Sequence, residues 1–405
     1  MHTHNPKSHP IKDEFSFANR MQCIPKSFIR EILKVTAQPD VISFAGGLPN
    51  PQYFPVEALK NAAIKVLEQD GCNALQYAVS EGYKPLREYI AMRYKLTQNL
   101  DIDPDEILIT NGSQQGIDLA GKVFLNPQDK VLLESPSYLG AIQAFSAYEP
   151  EFVTVDLQPD GIDTDTLRTI LETQNIKLMY AIPNFQNPTG ISYSIEKRMA
   201  TAELLRHTNT ILVEDDPYGS IEFTGQPMPS IKNFLPRQTI LLGSFSKIAS
   251  PGMRLGWVAA DKKIIAQMII AKQATDLHSN FLSQRIIYQF LMDNDLEAHI
   301  SQIKSAYKQQ RNQMLECIRN YFPSAVQYTI PEGGMFIWLT LPEGCNAFDL
   351  LHKASDQKIA FVPGGTFFLN GKGQNTMRLN YSNTETHLLE EGMNRLGKIM
   401  KEWME

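Results

Sequence analysis

The sequence predicts an α/β protein with a mostly parallel sheet in a large domain, followed by a small α+β domain. First, short apolar runs alternate with helical stretches between residues 107 and 243, which is the pattern of a sheet covered by helices on both faces. Second, this pattern changes after a long helical region that ends near residue 321. Third, residues 326–341 place Gly333-Gly334 between two apolar runs, and a helix, two strands and a final helix follow.

Apolar periodicity places the individual elements along the chain. The expected strands are short apolar runs, at 107–110, 130–134, 178–182, 210–213, 239–243, 359–362 and 376–381. The expected helices repeat apolar residues at helical spacing, at 13–38, 55–69, 85–96, 113–125, 195–207, 262–291, 296–321, 348–357 and 385–403. Residues 42–49 are rich in glycine and proline, so we expect a loop there.

Composition and charge argue against several classes of function. The 405 residues carry a net charge of −6 with both signs interspersed, and no basic block indicates binding to nucleic acid or a membrane surface. No run approaches the roughly 18 apolar residues of a membrane span. The polar N-terminus lacks a signal core, so we expect a cytoplasmic protein. His2, His4 and His9 could bind a metal, but we expect an untethered tail and no metal site.

The four cysteines lie far apart in the sequence. Their spacing matches neither a metal site nor a disulfide framework. This usage favours a reducing compartment.

The stretch that indicates chemistry is 241–247, an apolar run that ends in Gly-Ser-Phe-Ser-Lys. Open α/β sheets bind ligands at the carboxyl ends of their strands, and this run would deliver Lys247 there. A partly desolvated lysine amine is a good nucleophile toward an imine-forming cofactor. Ser244, Ser246 and Arg254 could hold a phosphate group. The alternative is a solvated loop lysine, because Ser-x-Ser-Lys is a common pattern.

A second anion site is indicated where strand 107–110 runs into Asn-Gly-Ser-Gln-Gln-Gly at 111–116 and then into a helix. The first turn of a helix leaves backbone N–H groups free to bind an anion. Ser113 would lie at this turn. The alternative is that Ser113 only caps the helix.

Four further motifs lie at or near the ends of expected strands, namely Pro-Ser-Tyr at 136–138, Asn-Phe-Gln-Asn-Pro-Thr-Gly at 184–190, Glu-Asp-Asp-Pro-Tyr at 214–218, and Arg378. Each alone has a plain structural interpretation, such as a turn for Asn-Pro-x-Gly. Their common order around Lys247 is what gives them a functional interpretation.

In this order the motifs resemble fold-type-I pyridoxal-phosphate enzymes of the class I and II aminotransferase family. The resemblance covers nearly the whole chain and is closer to the 2-aminoadipate aminotransferase subgroup, which includes lysine-biosynthesis and kynurenine-type transaminases. The motifs shared with that subgroup are Ser-Phe-Ala-Gly-Gly-Leu-Pro at 43–49, Gly-Ser-Gln-Gln at 112–115, Phe-Gln-Asn-Pro-Thr-Gly at 185–190 and Phe-Val-Pro-Gly-Gly at 361–365.

The resemblance implies a seven-stranded sheet and a division into three parts. Residues 1–51 would form an N-terminal helix and arm that join the small domain. Residues 52–296 would form the large cofactor-binding domain, and residues 297–405 the small C-terminal domain.

The resemblance also implies catalytic roles. Lys247 would hold pyridoxal 5′-phosphate as an imine and move the substrate proton. Asp215 would pair with the ring nitrogen; it is preferred to Asp216 because its spacing from Tyr218 matches the family pattern. Tyr218 and Asn187 would hydrogen-bond the ring oxygen.

The rest of the cofactor and the substrate have implied partners too. Tyr138 would stack on the ring. The phosphate contacts would be Ser113, Gln114, Ser244, Ser246 and Arg254, with Tyr77 reaching over from a neighbouring subunit of a homodimer. Arg378 would bind the substrate α-carboxylate beside Asn187 and Gly47. Arg30 would bind a distal carboxylate; its alternative role is a surface ion pair with an acid such as Glu31.

The expected activity is therefore transfer of an amino group from 2-aminoadipate, glutamate or an apolar or aromatic amino acid to a 2-oxo acid, with 2-oxoglutarate as acceptor and a ping-pong mechanism. One alternative is a lyase or decarboxylase on the same fold, since fold does not determine reaction type. Another is a regulator that fuses a winged-helix module to this domain. Only about 40 residues precede the 43–49 loop, and no basic patch is present, which disfavours the regulator.

Overall fold

A computed structural model describes residues 15–25, 40–225 and 227–404. The helices of this part of the chain are α1 (Arg20–Cys23), α2 (Val56–Ala74), α3 (Lys84–Gln98), α4 (Ser113–Phe124), α5 (Leu139–Ser146), α6 (Thr164–Thr173), α7 (Ile195–Arg206), α8 (Lys262–Gln273), α9 (Phe281–Asp293), α10 (Leu296–Tyr321), α11 (Ala347–Asp356) and α12 (Thr386–Met404). None of these helices is long and apolar enough to cross a membrane.

The strands of the same ranges form three sheets. They are β1 (Ile42–Ser43), β2 (Ile107–Thr110), β3 (Lys130–Ser135), β4 (Glu151–Gln158), β5 (Gly161–Ile162), β6 (Ile176–Ala181), β7 (Ile211–Asp215), β8 (Thr239–Ser244), β9 (Gly256–Ala259), β10 (Gln327–Tyr328), β11 (Phe336–Thr340), β12 (Ile359–Ala360), β13 (Val362–Pro363) and β14 (Thr376–Asn380).

The largest sheet has the strand order β2-β9-β8-β7-β6-β3-β4-β5. Strands β8, β7, β6, β3 and β4 run parallel, whereas β9 is antiparallel to both β2 and β8. The strands from β2 to β4 therefore form the mostly parallel, seven-stranded sheet that was expected. The two-residue strand β5 adds an eighth strand at the edge, because the chain reverses after β4 and pairs with it in the antiparallel direction.

Alternate residues of the central strands belong to two apolar cores, one on each face of the large sheet. Tyr180 and Val213 lie in the larger core with residues of α4 and α8. Their neighbours Met179 and Leu212 lie in the smaller core with residues of α6 and α7. Because side chains alternate along a strand, Asp215 projects to the same face as Val213 and Tyr180. This register places an acid next to a tyrosine at the carboxyl end of the sheet.

The C-terminal part of the chain forms an antiparallel sheet of order β10-β11-β14-β13. Helix α12 packs against α10 and α11, and α11 also packs against β12 and β13. Strand β1 pairs in parallel with β12, which ties residues 42–43 to the C-terminal part. The domain limits expected at residues 51 and 296 stay a prediction.

Several elements differ from the sequence prediction. The expected helix 262–291 is two helices, α8 and α9, because the chain turns between them and Leu277 has a φ of 62°. The expected strand 359–362 divides between β12 and β13, which belong to different sheets. The pattern did not indicate β4, because much of this strand is exposed or half-buried. Of the expected first helix at 13–38, residues 13–14 and 26–38 lie outside the described residues, and Arg20–Cys23 form the short helix α1.

Candidate active site

The carboxyl ends of the parallel strands open into a cavity of about 340 Å³, which residues of both larger sheets line. Twelve residues singled out from the sequence contribute to its wall, namely Gly47, Ser113, Gln114, Tyr138, Asn187, Asp215, Tyr218, Ser244, Ser246, Lys247, Arg254 and Arg378. These residues come from segments up to 331 positions apart in the chain. Parallel strands bring most of them together because their carboxyl ends meet at one edge of the sheet. Arg378 reaches the cavity from β14 of the C-terminal sheet, and Gly47 from the loop after β1.

Lys247 follows β8, and its amine donates a hydrogen bond to the carbonyl oxygen of Gly47 at 2.8 Å. Burial lowers the pKa of this amine to about 8, and the positive charges of Arg378 and Arg254 act in the same direction. A larger share of the amine is therefore neutral near physiological pH than in a solvated lysine. A neutral amine can act as a nucleophile and as a proton acceptor.

Asp215 ends β7, and the hydroxyl of Tyr180 on the neighbouring strand β6 donates to its Oδ2 atom at 2.8 Å. The Oδ1 atom is buried and has no hydrogen-bond partner among the described residues. Burial raises the pKa of the carboxyl group to about 7, and the hydrogen bond from Tyr180 partly offsets this effect. Buried polar atoms normally have partners, so Oδ1 is a place for a ligand that carries an N–H group or positive charge.

The acids on either side of Asp215 form hydrogen bonds with residues outside the cavity. Glu214 is buried and accepts a hydrogen bond from the Ser230 hydroxyl at 2.6 Å. Asp216 accepts a hydrogen bond from the Asn184 side-chain amide at 2.9 Å. Of these three consecutive acids, Asp215 alone lines the cavity.

Arg378 lies on β14 and is only 1% exposed. Its Nη1 donates to Asn187 Oδ1 and its Nη2 donates to the carbonyl oxygen of Ala45, both at 2.7 Å. The guanidinium carbon lies 4.3 Å from the centre of the Phe336 ring. Burial lowers the pKa of Arg378 to about 10, so the group remains cationic at neutral pH. Since arginine has five N–H groups, two bonds leave donors for a carboxylate.

Two tyrosines supply aromatic surface and hydroxyl donors to the cavity. The Tyr138 hydroxyl donates to Gln114 Oε1 at 3.4 Å. The Tyr218 ring packs edge-on against Phe336, with 5.9 Å between the ring centres. Burial raises the pKa of both phenols, to about 12 for Tyr138, so both stay protonated at neutral pH.

The turn from β2 into α4 forms an anion-binding corner of the same cavity. Gly112 has a φ of 74°, which glycine adopts readily, and a Cβ atom there would lie 2.8 Å from Arg254 Nη2. Glycine therefore allows the guanidinium to approach the first turn of α4. Ser113 and Ser244 line the cavity nearby. First-turn amides, hydroxyls and a guanidinium together suit a phosphate group.

Comparison with known protein families identifies the family of the chain. A model described as aminotransferase class I and II matches residues 39–396. The chain belongs to this family. Aminotransferases of class I and II transfer amino groups with pyridoxal 5′-phosphate as cofactor, so this chain is a pyridoxal-phosphate-dependent aminotransferase.

Individual aminotransferases resemble the chain over nearly its full length. It is 41% identical to aromatic-amino-acid aminotransferase 1 of Thermococcus litoralis, over 96% of this chain and 94% of the relative. The structure of Pyrococcus horikoshii kynurenine aminotransferase, solved with PMP, has a TM-score of 0.92 and 39% identity. The structure of the alpha-aminoadipate aminotransferase LysN of Thermus thermophilus, complexed with N-(5′-phosphopyridoxyl)-L-leucine, has a TM-score of 0.90 and 38% identity. Both structures match 96% of this chain and 98% of their own.

The residues of this aminotransferase fit the cofactor. The buried Oδ1 of Asp215 lacks a partner that a protonated ring nitrogen would supply. Lys247 has an amine of lowered pKa in the same cavity. The turn at Gly112 and the Arg254 guanidinium offer N–H donors for a phosphate. The Lys247 amine therefore suits the aldehyde of pyridoxal 5′-phosphate, and the Asp215 carboxylate suits its ring nitrogen. The anion-binding corner at Gly112 and Arg254 suits its phosphate.

The aminotransferase site also depends on buried polar residues that the sequence pattern did not reveal. Glu134, at the end of β3, accepts hydrogen bonds from the Tyr193 hydroxyl at 2.7 Å and from Gln186 Nε2 at 3.0 Å. These bonds hold the loop that carries Asn187. An acid inside an otherwise apolar strand is a signal that could have pointed to Glu134.

A second supporting contact fixes the Gly47 loop. The side chain of Asn380, on β14, donates to the carbonyl oxygen of Gly46 at 2.5 Å. The Ser382 hydroxyl donates to the carbonyl oxygen of Leu48 at 3.0 Å. The loop that accepts the Lys247 hydrogen bond is thus attached to the strand that carries Arg378. Nothing in the local sequence of 43–49 indicates these partners.

One expected site residue that the structure describes, Tyr77, does not lie at the cavity of its own chain. Tyr77 is 80% exposed and its ring contacts the His278 ring at 5.9 Å. Arg30, expected to meet a distal carboxylate, lies outside the described residues.

Proposed function

We propose that this aminotransferase moves the amino group of an α-amino acid to 2-oxoglutarate in a ping-pong reaction. One observation carries the proposal: Lys247, the unpartnered oxygen of Asp215 and the buried Arg378 line one cavity. An amine, an anion and a carboxylate-binding cation are the three protein groups that the reaction requires. Bound in this cavity, the cofactor supplies an electron sink that makes the α-proton of an amino acid acidic.

Arg378 positions the substrate in this proposal. Its bonds to Asn187 and to the Ala45 carbonyl, together with the Phe336 ring, fix the plane of the guanidinium. The remaining N–H groups bind the α-carboxylate, which every amino acid and 2-oxo acid shares. The substrate Cα is thereby held on the Lys247 side of the cavity.

Lys247 moves the proton. With a pKa near 8, the amine is neutral in an appreciable share of molecules at physiological pH and can accept the α-proton. Once protonated, the same amine would be the acid that gives the proton back. Asp215 would hold the ring nitrogen in its protonated form, because a buried carboxylate favours a positive charge beside it and its Oδ1 atom has no hydrogen-bond partner among the described residues. Tyr218 and Asn187, which line the same cavity, would hydrogen-bond the ring oxygen.

The substrate class that we propose includes both acidic and apolar or aromatic amino acids. The names of similar aminotransferases include aromatic amino acids, kynurenine and alpha-aminoadipate, which supports a broad donor range. A dicarboxylate needs a second cation, since Arg378 already binds the first carboxylate. Arg30 is the residue proposed for this role, on the sequence resemblance alone.

The further proposals are that the protein is a cytoplasmic homodimer and that Tyr77 contributes to the active site of the partner subunit. An exposed apolar patch, defined by Leu75, Tyr77, Val79 and Leu277, supports an interface. Large exposed apolar patches commonly mark interaction sites.

The test is a panel of amino acids with 2-oxoglutarate, in which glutamate formation is followed for wild type and Arg30→Ala. We expect 2-aminoadipate and apolar or aromatic donors to react with wild type. Arg30→Ala should weaken use of 2-aminoadipate and 2-oxoglutarate by about 2–4 kcal/mol. The first half-reaction with leucine should change much less.

The same panel separates the proposal from its rivals. Release of ammonia or CO₂ in place of glutamate would indicate a lyase or a decarboxylase. Equal losses for acidic and apolar donors in Arg30→Ala would remove Arg30 from the proposed specificity site. Initial rates at several concentrations of both substrates should give parallel double-reciprocal lines, as a ping-pong mechanism requires.

A further inference from the structure

Lys272, at the end of α8, is a fully buried lysine that no step of the proposed mechanism uses. Its amine donates to both carboxylate oxygens of Asp276 at 3.0 Å and to Gln115 Oε1 at 2.8 Å. It also donates to the Ser279 hydroxyl at 3.0 Å. Burying a charge is costly unless it is paired and hydrogen-bonded, and these contacts offset part of that cost for Lys272.

Asp276 connects this ion pair to the turn between β2 and α4. Its Oδ2 atom accepts hydrogen bonds from Asn111 Nδ2 at 2.6 Å and from Gln115 Nε2 at 2.8 Å. The backbone N–H of Asn111 donates to Gln115 Oε1 at 2.9 Å. One ion pair therefore holds both the first and the last residue of the turn 111–115.

The residues between these anchor points line the cavity. Gly112, Ser113 and Gln114 contribute to its wall, whereas Lys272 and Asp276 do not. On the other side of the turn, Arg254 Nη2 donates to the Asn111 carbonyl oxygen at 3.3 Å. Asn111 is thus held by Arg254 through its backbone and by Asp276 through its side chain.

We propose that the Lys272–Asp276 pair positions the phosphate-binding corner of this site. The pair does not touch the ligand; it acts through Asn111 and Gln115, which set the direction of the first-turn N–H groups of α4. The inference rests on the proposed phosphate site at Ser113 and Arg254. A shift in that turn would weaken binding of a phosphate and leave the contacts to the pyridine ring in place.

The test compares pyridoxal 5′-phosphate with pyridoxal, which lacks the phosphate, on the cofactor-free full chain. Dissociation constants are measured by absorbance titration for wild type and Lys272→Met. Affinity for pyridoxal 5′-phosphate should fall about 10-fold or more in the variant, the scale of losing a charged hydrogen bond. Affinity for pyridoxal should change by less than about 3-fold. Added inorganic phosphate should strengthen pyridoxal binding to wild type much more than to the variant.

A matched control is available in Lys232, a second buried lysine. Its amine donates to the carbonyl oxygens of Pro236 and Thr239, away from the turn 111–115. Lys232→Met should lower stability yet keep the wild-type ratio of the two affinities. Asp276→Asn repeats the comparison with a smaller change in shape, should Lys272→Met give no soluble protein.

The possible outcomes separate the inference from the proposed function. A wild-type affinity ratio in both Lys272→Met and Asp276→Asn would overturn the positioning role. Equal weakening of both ligands in these variants would also overturn it, because the pair would then be only structural. Absence of any preference for pyridoxal 5′-phosphate over pyridoxal in wild type would instead overturn the proposed phosphate site.

Discussion

The amine of Lys247 shows how one residue acquires its reactivity from its surroundings. Burial and two neighbouring guanidinium groups lower its pKa to about 8. At pH 7 about a tenth of such amines are neutral, compared with roughly one in 2,500 for a solvated lysine of pKa 10.4. Because only the neutral amine attacks a carbonyl, we expect the rate of covalent cofactor attachment to rise with pH around a midpoint near 8. Stopped-flow absorbance on cofactor-free protein measures this profile.

A variant checks the cause of that midpoint. Removing the positive charge in Arg378→Leu should move the midpoint upward, since a nearby cation disfavours the protonated amine. Lys247→Ala should show no attachment that borohydride can fix. A wild-type midpoint close to that of a solvated lysine would contradict the proposed environment of the amine.

Asp215, at the end of β7, and its neighbour Asp216 allow a comparison of two adjacent acids. The comparison shows whether proton transfer depends on an acid at the cavity or on any acid nearby. Asp215→Asn should slow proton transfer by at least about 10²-fold, the scale of removing a positioned electrostatic partner. Its Oδ1 atom is the unpartnered one. Asp216→Asn should stay within a few-fold of wild type, because Asp216 bonds Asn184 outside the cavity. Single-turnover kinetics with one amino acid compare the two, and a reversed order would exclude the assignment.

The elements that matter most for the site are the strand ends and the loops that follow them. Glu134 and Glu214 are both buried acids in strands of the large sheet, and each accepts several hydrogen bonds. Glu134 fixes the loop that carries Asn187. Glu214 fixes residues 230–232. The two acids can therefore be compared by the same substitution. Glu134 supports the active site, whereas Glu214 supports only the fold.

We expect Glu134→Gln and Glu214→Gln each to lower the free energy of unfolding by about 1–3 kcal/mol, because an amide leaves some of the donors without an acceptor. Urea denaturation measures both losses. Glu134→Gln should in addition raise KM for amino acids, since Asn187 bonds the guanidinium of Arg378. Glu214→Gln should keep the wild-type KM. An equal effect of the two variants on KM would show that Glu134 has no specific link to the site.

The strand-end motifs could be predicted from the sequence because each consists of adjacent residues. Apolar runs indicated β2, β3, β6, β7 and β8, and the polar residues after them were recognisable as site candidates. The partners of those residues were not recognisable. The Tyr180–Asp215 hydrogen bond depends on the register in which Val213 pairs with Tyr180, and neither strand encodes that register locally.

The sequence pattern also failed where an element is polar or short. β4 is exposed along much of its length, and β9 is a four-residue antiparallel strand that begins with glycine. The break between α8 and α9 contains no proline or glycine from which it could have been predicted. It matters for the site, because Asp276 lies in this break and holds the turn at 111–115.

For the whole molecule, the cavity depends on two sheets that are far apart in sequence. The large sheet contributes Asp215 and Ser244, and the C-terminal sheet contributes Arg378. The bond from Arg378 to Asn187 joins the two parts directly. Asp215 and Ser244, which are proposed to bind the cofactor, therefore lie on the large sheet, and the arginine proposed to bind the substrate lies on the C-terminal sheet. The two sheets meet at the cavity.

We propose that a partner subunit of the homodimer supplies Tyr77 to the active site. The residue is 80% exposed and lies in the apolar patch with Leu75, Val79 and Leu277. Neither its exposure nor the patch has an explanation within one chain. We propose that a homodimer buries this patch and that Tyr77 of one chain then lies near the phosphate corner of the other.

This proposal predicts complementation between two damaged chains. Lys247→Ala removes the amine from its own site, whereas Tyr77→Phe would remove a hydroxyl from the partner's site. In a mixed dimer, one site would then combine an intact Lys247 with an intact Tyr77, and the other site would have lost both. Random pairing after co-expression should give about half mixed dimers, so about a quarter of all sites should have wild-type affinity for pyridoxal 5′-phosphate. In mixed dimers purified through two different tags, about half of the sites should have this affinity, and titration with pyridoxal 5′-phosphate measures both fractions. If the site with an intact Lys247 in mixed dimers kept the weakened affinity of Tyr77→Phe, Tyr77 would act within its own chain; wild-type affinity of the Tyr77→Phe homodimer would show that the hydroxyl has no role.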